Sequence, residues 1–369
     1  MRVLVLSVSA GAGHVRAAHA LCAQAQALEG VSATHIDVLD LVPAGFRKVY
    51  GSGYIRLIEK APQLWAYLYD RTDHPRTESW FDALRRHVER LNTRKLDGEI
   101  AAAAPDAIVC THFLPAELLS RRIAAGLPTP PVWVVVTDFD VHGLWIHPHL
   151  AGYCVATEEV AARLAARGVP AARIHVTGIP VMPCFGTPPA RSVAAAELGI
   201  DGARTTVLMM AGGAGVGGME RLVEVIAGRF PALQLIALAG RNDELLARLG
   251  RLAARYPGQI LPLGFTTTIE RVMAAADLAI TKPGGLTTSE CLAMQLPMIV
   301  VSPIPGQEER NADMLLESGC ALKAVDEAAL AYKLGRLIEQ PGRLAAMREC
   351  QRAVARPQAA ADVLAALGA

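Results

Sequence analysis

The sequence predicts an α/β protein with a GT-B-like arrangement: two doubly wound, Rossmann-like domains that face each other across a cleft. Three observations predict this fold. The chain of 369 residues is too long for one ordinary core. Short β-branched segments alternate with helical segments, as in parallel sheets covered by helices. That alternation restarts after the breaker cluster at residues 186–190, and each half opens with a strand that runs into a glycine-rich turn.

Runs of three to seven mostly apolar residues, many of them β-branched, predict the buried strands. In the first half they lie at Val3–Ser7, Ala33–Val38, Ala107–Cys110, Val132–Thr137 and Arg173–Val176, with helices near His14–Leu28 and Glu158–Arg167. In the second half they lie at Thr205–Ala211, Leu233–Ala239, Gln259–Leu261, Leu278–Ile280 and Met298–Val301, with a helix from about Asp243. We therefore expect an N-terminal domain over residues 1–184, a C-terminal domain over 185–350, and a last helix in 351–369 that packs back toward the first domain.

Composition excludes several classes of protein. The net charge is +1 and the pI is about 7.7, whereas a nucleic-acid-binding protein normally carries a large positive excess. No run approaches the roughly 18–20 apolar residues that span a bilayer, and the N-terminus lacks the pattern of a signal peptide. The seven cysteines form no C-x-x-C pair. These features predict a cytoplasmic protein with no nucleic-acid partner.

Two kinds of side chain are distributed unevenly. All ten histidines lie between His14 and His175, as expected if the first domain supplies a base. Residues 45–95 contain eleven Lys or Arg against six Asp or Glu, and eight aromatic residues lie within 46–81. A basic segment with interleaved aromatic residues fits an anionic membrane surface. A pair of ordinary helices with a core-facing aromatic stripe explains it equally well.

The segment 282–311 has the pattern of a nucleotide-sugar site. Lys282 ends a buried strand, Gly284 and Gly285 allow a phosphate to approach the backbone, and the next helix offers free amides. Glu290 lies one turn inside that helix, where it can accept hydrogen bonds from ribose hydroxyls. Prolines rigidify the following segment 303–311, which we expect to be a loop whose polar side chains face sugar hydroxyls. The alternative is that P-G-G is only a tight turn.

Six motifs in this order resemble one family over nearly the whole chain. They are S-A-G-A-G-H at 9–14, T-D-F-D-V-H-G-L-W at 137–145, V-T-G-I-P at 176–180, A-G-R-N at 239–242, K-P-G-G-L-T-T-S-E at 282–290 and P-I-P-G-Q-E-E-R-N at 303–311. The sequence is similar to the monogalactosyldiacylglycerol synthases and processive diacylglycerol glycosyltransferases, which are glycosyltransferase family 28-like. It resembles more distantly the transferase that makes the lipid-linked peptidoglycan precursor.

The resemblance implies a GT-B fold and an inverting hexosyltransferase that needs no essential metal and no cofactor. It implies UDP-glucose or UDP-galactose as the donor and diacylglycerol or a similar lipid as the acceptor. The N-terminal domain would then face the acceptor and an anionic membrane, and the C-terminal domain would bind the donor. The protein would be peripherally associated with the inner face of the cell membrane and would make glycolipids there.

The same resemblance assigns donor-binding residues in the second domain. Gly212, Gly213 and Gly215 match the glycine loop near the diphosphate, Arg241 lies near the nucleotide, and Phe265 lies beside the uracil. The turn and the start of its helix contribute Lys282, Gly284, Gly285, Leu286, Thr287 and Glu290. Gln307 and Glu308 resemble the residues that contact the donor sugar.

In the first domain, His14 is the expected base. It opens the first helix after Gly13, and a helix N-terminus lowers the pKa of a histidine and so keeps it neutral. The alternative is a phosphate-binding glycine turn in which His14 has no role. The residues expected at the acceptor or membrane are Gly13, Tyr54, Trp65, Tyr69, His142 and Trp145.

The acids and histidines of residues 138–149 allow three interpretations. They are a metal site, a structural loop, and an acceptor-side wall in which Asp138 orients or replaces His14 and Trp145 packs on lipid. We expect the wall and no metal.

Three other functions remain open from the sequence. A UDP-sugar 2-epimerase uses the same fold without a lipid. A UDP-N-acetylglucosamine-dependent transferase would act on another lipid acceptor. A non-catalytic nucleotide-sugar subunit would not need both glycine turns and the histidine.

Overall fold

The structure is a computed structural model that describes residues 1–9, 11–42, 67, 73, 95–210 and 218–369. The chain divides into two compact units. The first comprises residues 1–183, 305–307 and 358–369, and the second comprises residues 184–304 and 308–357. Among the described residues, no helix has both the length and the apolar character needed to cross a membrane.

The first unit is built on a six-stranded parallel sheet in the order β2-β1-β3-β4-β5-β6. Its strands are β1 Arg2–Ser7, β2 Ser32–Asp37, β3 Ala107–Cys110, β4 Val132–Val135, β5 Gly152–Val155 and β6 Ile174–Val176. Its helices are α1 Ala12–Gln26, α2 Phe113–Ala124 and α3 Glu158–Ala166, and residues 95–103 are also helical. Short 3-10 helices lie at Val38–Asp40, Gly143–Trp145, Ala171–Arg173 and Pro183–Gly186.

The second unit repeats this plan, with a parallel sheet in the order β12-β11-β10-β7-β8-β9. Its strands are β7 Thr206–Met210, β8 Gln234–Gly240, β9 Ile260–Gly264, β10 Leu278–Thr281, β11 Met298–Val301 and β12 Ala321–Ala324. Its helices are α4 Arg191–Glu197, α5 Met219–Arg229, α6 Asp243–Arg255, α7 Ile269–Ala274, α8 Gly285–Ala293, α9 Gln307–Glu317, α10 Glu327–Glu339 and α11 Pro341–Val354. The last helix of the chain is α12, Ala359–Ala366.

Both faces of each sheet are covered, so the central strands are apolar along their whole length. In β3 all four residues are buried, and so are all five in β7. One face of the first sheet packs against α1 and α12, where Val363 and Leu364 join the core formed by Val5 and Leu21. The chain therefore ends inside the first unit.

The strand order brings functional segments together at the carboxyl edge of each sheet. β1 lies beside β3 and β3 beside β4, so the residues that follow these three strands are neighbours. In the second sheet β10 lies between β7 and β11, which places Lys282 and Ser302 on adjacent strand ends. Ligands bind beyond this edge in doubly wound sheets, where the strand order reverses.

The structure confirms the α/β fold with two doubly wound sheets. β3 and β11 have the predicted bounds, and most other predicted strands shift by one or two residues. The expectation of a loop over residues 303–311 is wrong in part, because α9 begins at Gln307. Acidic side chains at Glu308 and Glu309 in its first turn favour this start.

Candidate functional site

His14 stands at the carboxyl edge of the first sheet, in the first turn of α1. Gly11 caps this helix at a φ of 113°, a conformation that favours glycine, and the cap leaves no side chain bonded to the first turn. The side chain of His14 reaches the residues that follow β3 and β4, which are 97 and 123 positions further along the chain. Three separate segments therefore build its surroundings.

The hydrogen bonds of His14 fix its tautomer. Its Nδ1 atom lies 2.9 Å from the carbonyl oxygen of Thr111 and 2.9 Å from Oγ1 of Thr137. Because a carbonyl oxygen can only accept, Nδ1 must carry the proton. Nε2 is then the basic nitrogen, and it forms no hydrogen bond within the described part of the chain. The Thr111 hydroxyl also donates to the carbonyl oxygen of His14 at 2.9 Å, which holds the backbone in place.

The surroundings of His14 keep the ring neutral. Burial lowers the pKa of His14 to about 4, although the hydrogen bond to the Thr111 carbonyl acts in the opposite direction. The expected lowering is therefore present, but its main cause is burial and not the start of the helix. A neutral imidazole with a fixed Nδ1–H and a basic Nε2 is the form that a general base requires.

His112 and Trp145 form the wall behind His14. The rings of His14 and His112 meet edge to face, with centroids 4.6 Å apart, and the Trp145 centroid lies 6.1 Å from that of His14. Burial, with His14 as the second cause, lowers the pKa of His112 well below its usual value. Its Nδ1 accepts a hydrogen bond from the backbone of Leu114 and so caps α2. Trp145 is only 4% exposed and also packs edge to face on Phe113, so a lipid could meet little of its surface.

Much of the loop 138–149 is occupied by structural contacts. Asp140 pairs with Arg163 at 2.9 Å, and His142 caps the 3-10 helix Gly143–Trp145 by accepting from the backbone of Leu144. The backbone of His147 exchanges two hydrogen bonds with the hydroxyl of Tyr153. In the described ranges no group of three or more His, Cys, Asp or Glu side chains could hold a metal ion. Asp138 is partly buried at the end of β4, and its role as an orienting group stays a prediction.

The turn after β10 presents an uncapped helix start in the second unit. α8 begins at Gly285, and its N-cap, Gly284, has no side chain to accept from the first turn. The first turn also contains no acidic residue. The amides at Gly285, Leu286 and Thr287 are therefore available to an anion, and the helix dipole favours one there. Within the described residues, Nζ of Lys282 has no hydrogen bond or ion pair, so this charge is also available.

Two residues of α9 hold the turn in place. Oε2 of Glu308 accepts from the backbone of Ile304 at 2.7 Å, and its other oxygen lies beside Gly284, 3.6 Å from where a Cβ would stand. Asn311 is fully buried and donates from Nδ2 to the carbonyl oxygen of Pro283 at 3.0 Å. Ser302 adopts a positive φ of 45°, an uncommon conformation for serine, at the end of β11. The segments around Lys282 and Glu308 thus form one structural unit.

Arg241 and Phe265 lie side by side at the ends of β8 and β9. These strands are paired up to Gly240 and Gly264, so the next residue of each is brought to the same edge. The Arg241 guanidinium stacks over the Phe265 ring at 4.4 Å, and the ring is still 58% exposed. The exposed face of this ring can stack on a flat heterocycle.

Of the other predicted site residues, some are described by the structure and some lie outside the described residues. Glu290 is 2% exposed in α8, while Gly13 and Gln307 are partly buried in the first turns of α1 and α9. Several predicted residues lie outside the part of the chain that the structure describes: Tyr54, Trp65, Tyr69, Gly212, Gly213 and Gly215. Their roles stay predictions.

Sequence reasoning missed four residues that organise these sites: Thr111, His112, Thr137 and Asn311. The first three follow directly after buried strands, and polar residues at that position are the signal that could have indicated them. Asn311 lay within a segment that the sequence analysis expected to be a loop. Only its place in α9 shows that its side chain faces Pro283.

Comparison with known proteins covers nearly the whole chain. Residues 14–181 match the family model of monogalactosyldiacylglycerol (MGDG) synthase, and residues 207–363 match the C-terminal domain of glycosyltransferase family 28. The processive diacylglycerol beta-glucosyltransferase of Bacillus cytotoxicus is 28% identical over 373 residues, which span 98% of this chain and 92% of that protein. The enzyme of the same name from Bacillus mycoides has the same identity and coverage.

Solved structures with the same fold include transferases and epimerases. MurG of Acinetobacter baumannii superposes with a TM-score of 0.65 at 16% identity, over 100% of this chain and 99% of that one. A UDP-GlcNAc 2-epimerase from Neisseria meningitidis, bound to UDP-GlcNAc, gives 0.63 at 14% identity with the same coverage. At these identities the likeness shows the fold alone. With both family models matched in order on this fold, the chain is similar over nearly its whole length to the monogalactosyldiacylglycerol synthases and processive diacylglycerol glycosyltransferases, and it is a glycosyltransferase.

Proposed function

We propose that this enzyme transfers glucose or galactose from a UDP-sugar to diacylglycerol, with inversion at the anomeric carbon, at the surface of a membrane. The observation that carries the proposal is the geometry of His14: a neutral ring held through Nδ1, with Nε2 left as the basic atom. A transferase that activates an alcohol needs such a group, and a protein that only binds a nucleotide sugar does not.

The reaction is a single displacement. Nε2 of His14 takes the proton of the acceptor hydroxyl, the acceptor oxygen attacks C1 of the sugar, and the bond from C1 to the UDP oxygen breaks. The charge on His14 then has to be accommodated, and the carbonyl oxygen of Thr111 stabilises the Nδ1–H of the imidazolium. Asp138, which follows β4, is the second candidate for the base that takes the proton.

The second unit supplies stabilisation for the departing UDP. The diphosphate gains negative charge as the bond to C1 breaks, and the uncapped amides of α8 with the Lys282 ammonium favour that charge. Arg241 and the exposed face of Phe265 provide a surface for the uracil ring. Preorganised donors of this kind contribute on the order of 10²–10³-fold each to a displacement.

The choice of a lipid acceptor is supported by the first half of the chain. The MGDG synthase model matches residues 14–181, the half that contains His14 and the basic, aromatic stretch 45–95. The Bacillus relatives are named for transfer of glucose to diacylglycerol, and glucose is therefore the first donor to test. A net charge of +5 over residues 45–95 would draw this stretch to an anionic bilayer.

A UDP-sugar 2-epimerase is the second candidate, because such enzymes share the fold. It differs in needing no lipid and in returning a sugar nucleotide as product. The fold does not distinguish the two, whereas the match of the first half to a lipid glycosyltransferase model favours transfer.

A screen of donors and acceptors tests the proposal. The purified enzyme is incubated with UDP-glucose, UDP-galactose or UDP-N-acetylglucosamine, each with and without diacylglycerol in mixed micelles. Lipid products are identified by mass spectrometry, and sugar nucleotides, whose epimers have equal mass, by chromatography and NMR. We expect a hexosyl-diacylglycerol from UDP-glucose or UDP-galactose only when the lipid is present. A lipid-independent change in UDP-N-acetylglucosamine would indicate an epimerase, and no glycolipid from any donor would contradict the proposal.

A further inference from the structure

Asp73 lies in the stretch 45–95 and contacts three residues of the described first unit. Its two carboxylate oxygens each lie 2.8 Å from a different guanidinium nitrogen of Arg167, which makes the pair bidentate. Oδ1 also accepts from the backbone of Gly143 at 2.7 Å, and Nε2 of His142 lies 4.0 Å away. Bidentate pairs of this kind are stronger and more directional than single contacts.

The backbone of Asp73 is fitted to Gly143 as closely as its side chain. A Cβ at Gly143 would stand 2.6 Å from the carbonyl oxygen of Asp73, a distance that real Cβ atoms essentially never show. Gly143 therefore has to be glycine for Asp73 to approach. Asp73 contacts both a side chain of the region after α3 and the first residue of the 3-10 helix Gly143–Trp145.

The 3-10 helix Gly143–Trp145 packs close to His14. It ends at Trp145, whose ring centroid lies 6.1 Å from that of His14 and 6.3 Å from that of His112. His142 caps this helix, and Gly143 is its first residue. Because the helix has only three residues, the position of Trp145 depends on how Gly143 is held. A contact at Asp73 is thus linked to His14 through Gly143 and Trp145.

The charge on Asp73 is maintained by this arrangement. Burial opposes ionisation, but the hydrogen bonds from Arg167 and from the backbone of Gly143, with the nearby charges, lower the pKa of Asp73 on balance. Its side chain is 26% exposed and that of Arg167 is 31% exposed. The pair is therefore more shielded from solvent than an ordinary surface ion pair, which contributes little to protein stability.

We propose that Asp73 is a positioning residue for glycosyl transfer: together with Arg167 it holds the 3-10 helix Gly143–Trp145 in place behind His14. This inference rests on the proposed function, since it takes His14 as the base that activates the acceptor. Asp73 does not touch the reacting atoms. Loss of its ion pair with Arg167 leaves the carboxyl group less firmly held, so that Gly143 and Trp145 can shift and the acceptor hydroxyl meets Nε2 of His14 in poorer geometry.

Two variants and a matched control test the inference. Asp73→Asn keeps an oxygen that can accept from Gly143 but loses the ion pair, and Arg167→Gln removes the same pair from the other side. Asp97→Asn is the control, because it removes an ion pair with Arg122 in the same unit. For each variant, kcat and the KM for diacylglycerol are measured in mixed micelles, UDP affinity by calorimetry, and folding by thermal melting.

We expect Asp73→Asn and Arg167→Gln each to lower kcat/KM for diacylglycerol about tenfold, since small displacements of reacting groups are costly. The Asp73→Asn, Arg167→Gln double variant should lose little more than either single variant, because both remove one interaction. UDP affinity should stay within about twofold. If a variant melts below the assay temperature, Arg167→Lys keeps the charge while losing the bidentate geometry, and an intermediate loss is expected.

Other results would overturn the inference. Acceptor kinetics of Asp73→Asn equal to those of Asp97→Asn would show that the contact has no positioning role. Equal losses of UDP affinity and of acceptor kinetics would indicate general damage to the fold. Failure of the proposed function is distinguishable, because then the unaltered enzyme itself would make no glycolipid.

Discussion

At the scale of single residues, His14 combines two requirements of a base that are seldom met by one side chain. The carbonyl oxygen of Thr111 sets the tautomer, and burial keeps the ring neutral well below physiological pH. A ring that charged at ordinary pH would have no basic nitrogen. In the proposed reaction, Nε2 is therefore the atom that takes the proton of the acceptor.

Replacing His14 tests this assignment. We expect His14→Ala to lower kcat at least about 100-fold, because proton transfer in the transition state is lost. UDP affinity should stay within a few-fold, since the donor groups lie in the second unit. His19→Ala is the control, because His19 lies exposed on the same helix and contacts His35 and not the ring of His14. A near-normal rate in His14→Ala would move the role of base to Asp138.

The pH dependence of the rate follows from the pKa of His14. Its value of about 4 lies below that of an ordinary histidine, so the neutral form is present above about pH 5 and is lost as the pH falls through 4. We expect kcat/KM for the acceptor to show no limb near pH 6.5. The same shift makes the fold less stable as the pH falls below about 6.5, because the unfolded chain then binds more protons.

Rates are therefore measured only at pH values where circular dichroism shows an intact fold. A limb centred near pH 6.5 in the unaltered enzyme, absent from His14→Gln, would mean that His14 titrates as an exposed histidine. That result would contradict the buried, fixed ring.

His14 could be predicted from its place after a glycine turn, but its partners could not. Thr111 and Thr137 lie 97 and 123 residues away, and only the strand order β1-β3-β4 brings them to the same ring. Trp145 was expected on lipid, yet it is buried behind His14. Single-residue chemistry was visible in the sequence, whereas the contacts that tune it depend on the sheet.

At the scale of elements, the start of α8 is the feature that we propose to hold the diphosphate of the donor. Gly284 has a φ of −66°, which any residue adopts, and a Cβ there would meet Glu308 only at an ordinary contact distance of 3.6 Å. The backbone therefore does not require glycine. We infer that glycine at this position leaves room for a phosphate to approach the helix amides.

This reasoning predicts an unusual outcome for Gly284→Ala. The protein should fold with nearly unchanged thermal stability, but the added methyl group should weaken UDP binding about tenfold or more by obstructing the helix amides. Gly250→Ala is the matched control: it lies exposed inside α6, has open space around it, and should gain about 0.5–1 kcal/mol of stability without changing UDP affinity. Calorimetry with UDP and thermal melting check both. Unchanged UDP affinity in Gly284→Ala would place the diphosphate elsewhere.

Elements were predicted best where a short run of buried, mostly β-branched residues favours a strand over a helix or loop. The β-branched run Met298–Val301 matched the structure in full, as did Ala107–Cys110. The start of α9 at Gln307 was missed because Pro303, Pro305 and Gly306 are typical of a loop. Its first turn is held by Glu308 and Asn311, whose partners lie outside the helix.

At the scale of the whole molecule, the stretch 45–95 is proposed to bring the enzyme to its lipid. The alternative interpretation, an aromatic stripe that faces the core, predicts no contribution of these residues to membrane binding. Among its aromatic residues Tyr67 is described, and it is 56% exposed. An exposed tyrosine in a basic segment fits an interface with lipid headgroups.

Replacing Trp65, Tyr67 and Tyr69 together with serine should reduce sedimentation with anionic liposomes several-fold, because aromatic side chains and basic charge act together at such surfaces. Replacing the exposed Tyr332 of the second unit with serine is the control and should leave sedimentation unchanged. Thermal melting of both variants separates membrane binding from folding. Equal sedimentation of the triple variant and the unaltered protein would favour the core-facing stripe.

The division into two doubly wound sheets could be predicted because each half has its own glycine turn and its own alternation of strands and helices. The acceptor could not be derived in the same way. No residue type in the sequence 45–95 is specific to diacylglycerol, so the identity of the acceptor depends on similarity to known relatives and on assay.

The anomeric configuration of the product tests the central claim most directly. UDP-glucose has the α configuration at C1, so a single displacement by an acceptor that His14 activates must give a β-glucosyl lipid. The enzyme is incubated with UDP-glucose and diacylglycerol, and the coupling of the anomeric proton in the purified glycolipid is read by NMR. We predict the large coupling of a β-glucoside, with no product from His14→Ala. An α-linked product, or no glycolipid from either UDP-glucose or UDP-galactose, would contradict the account.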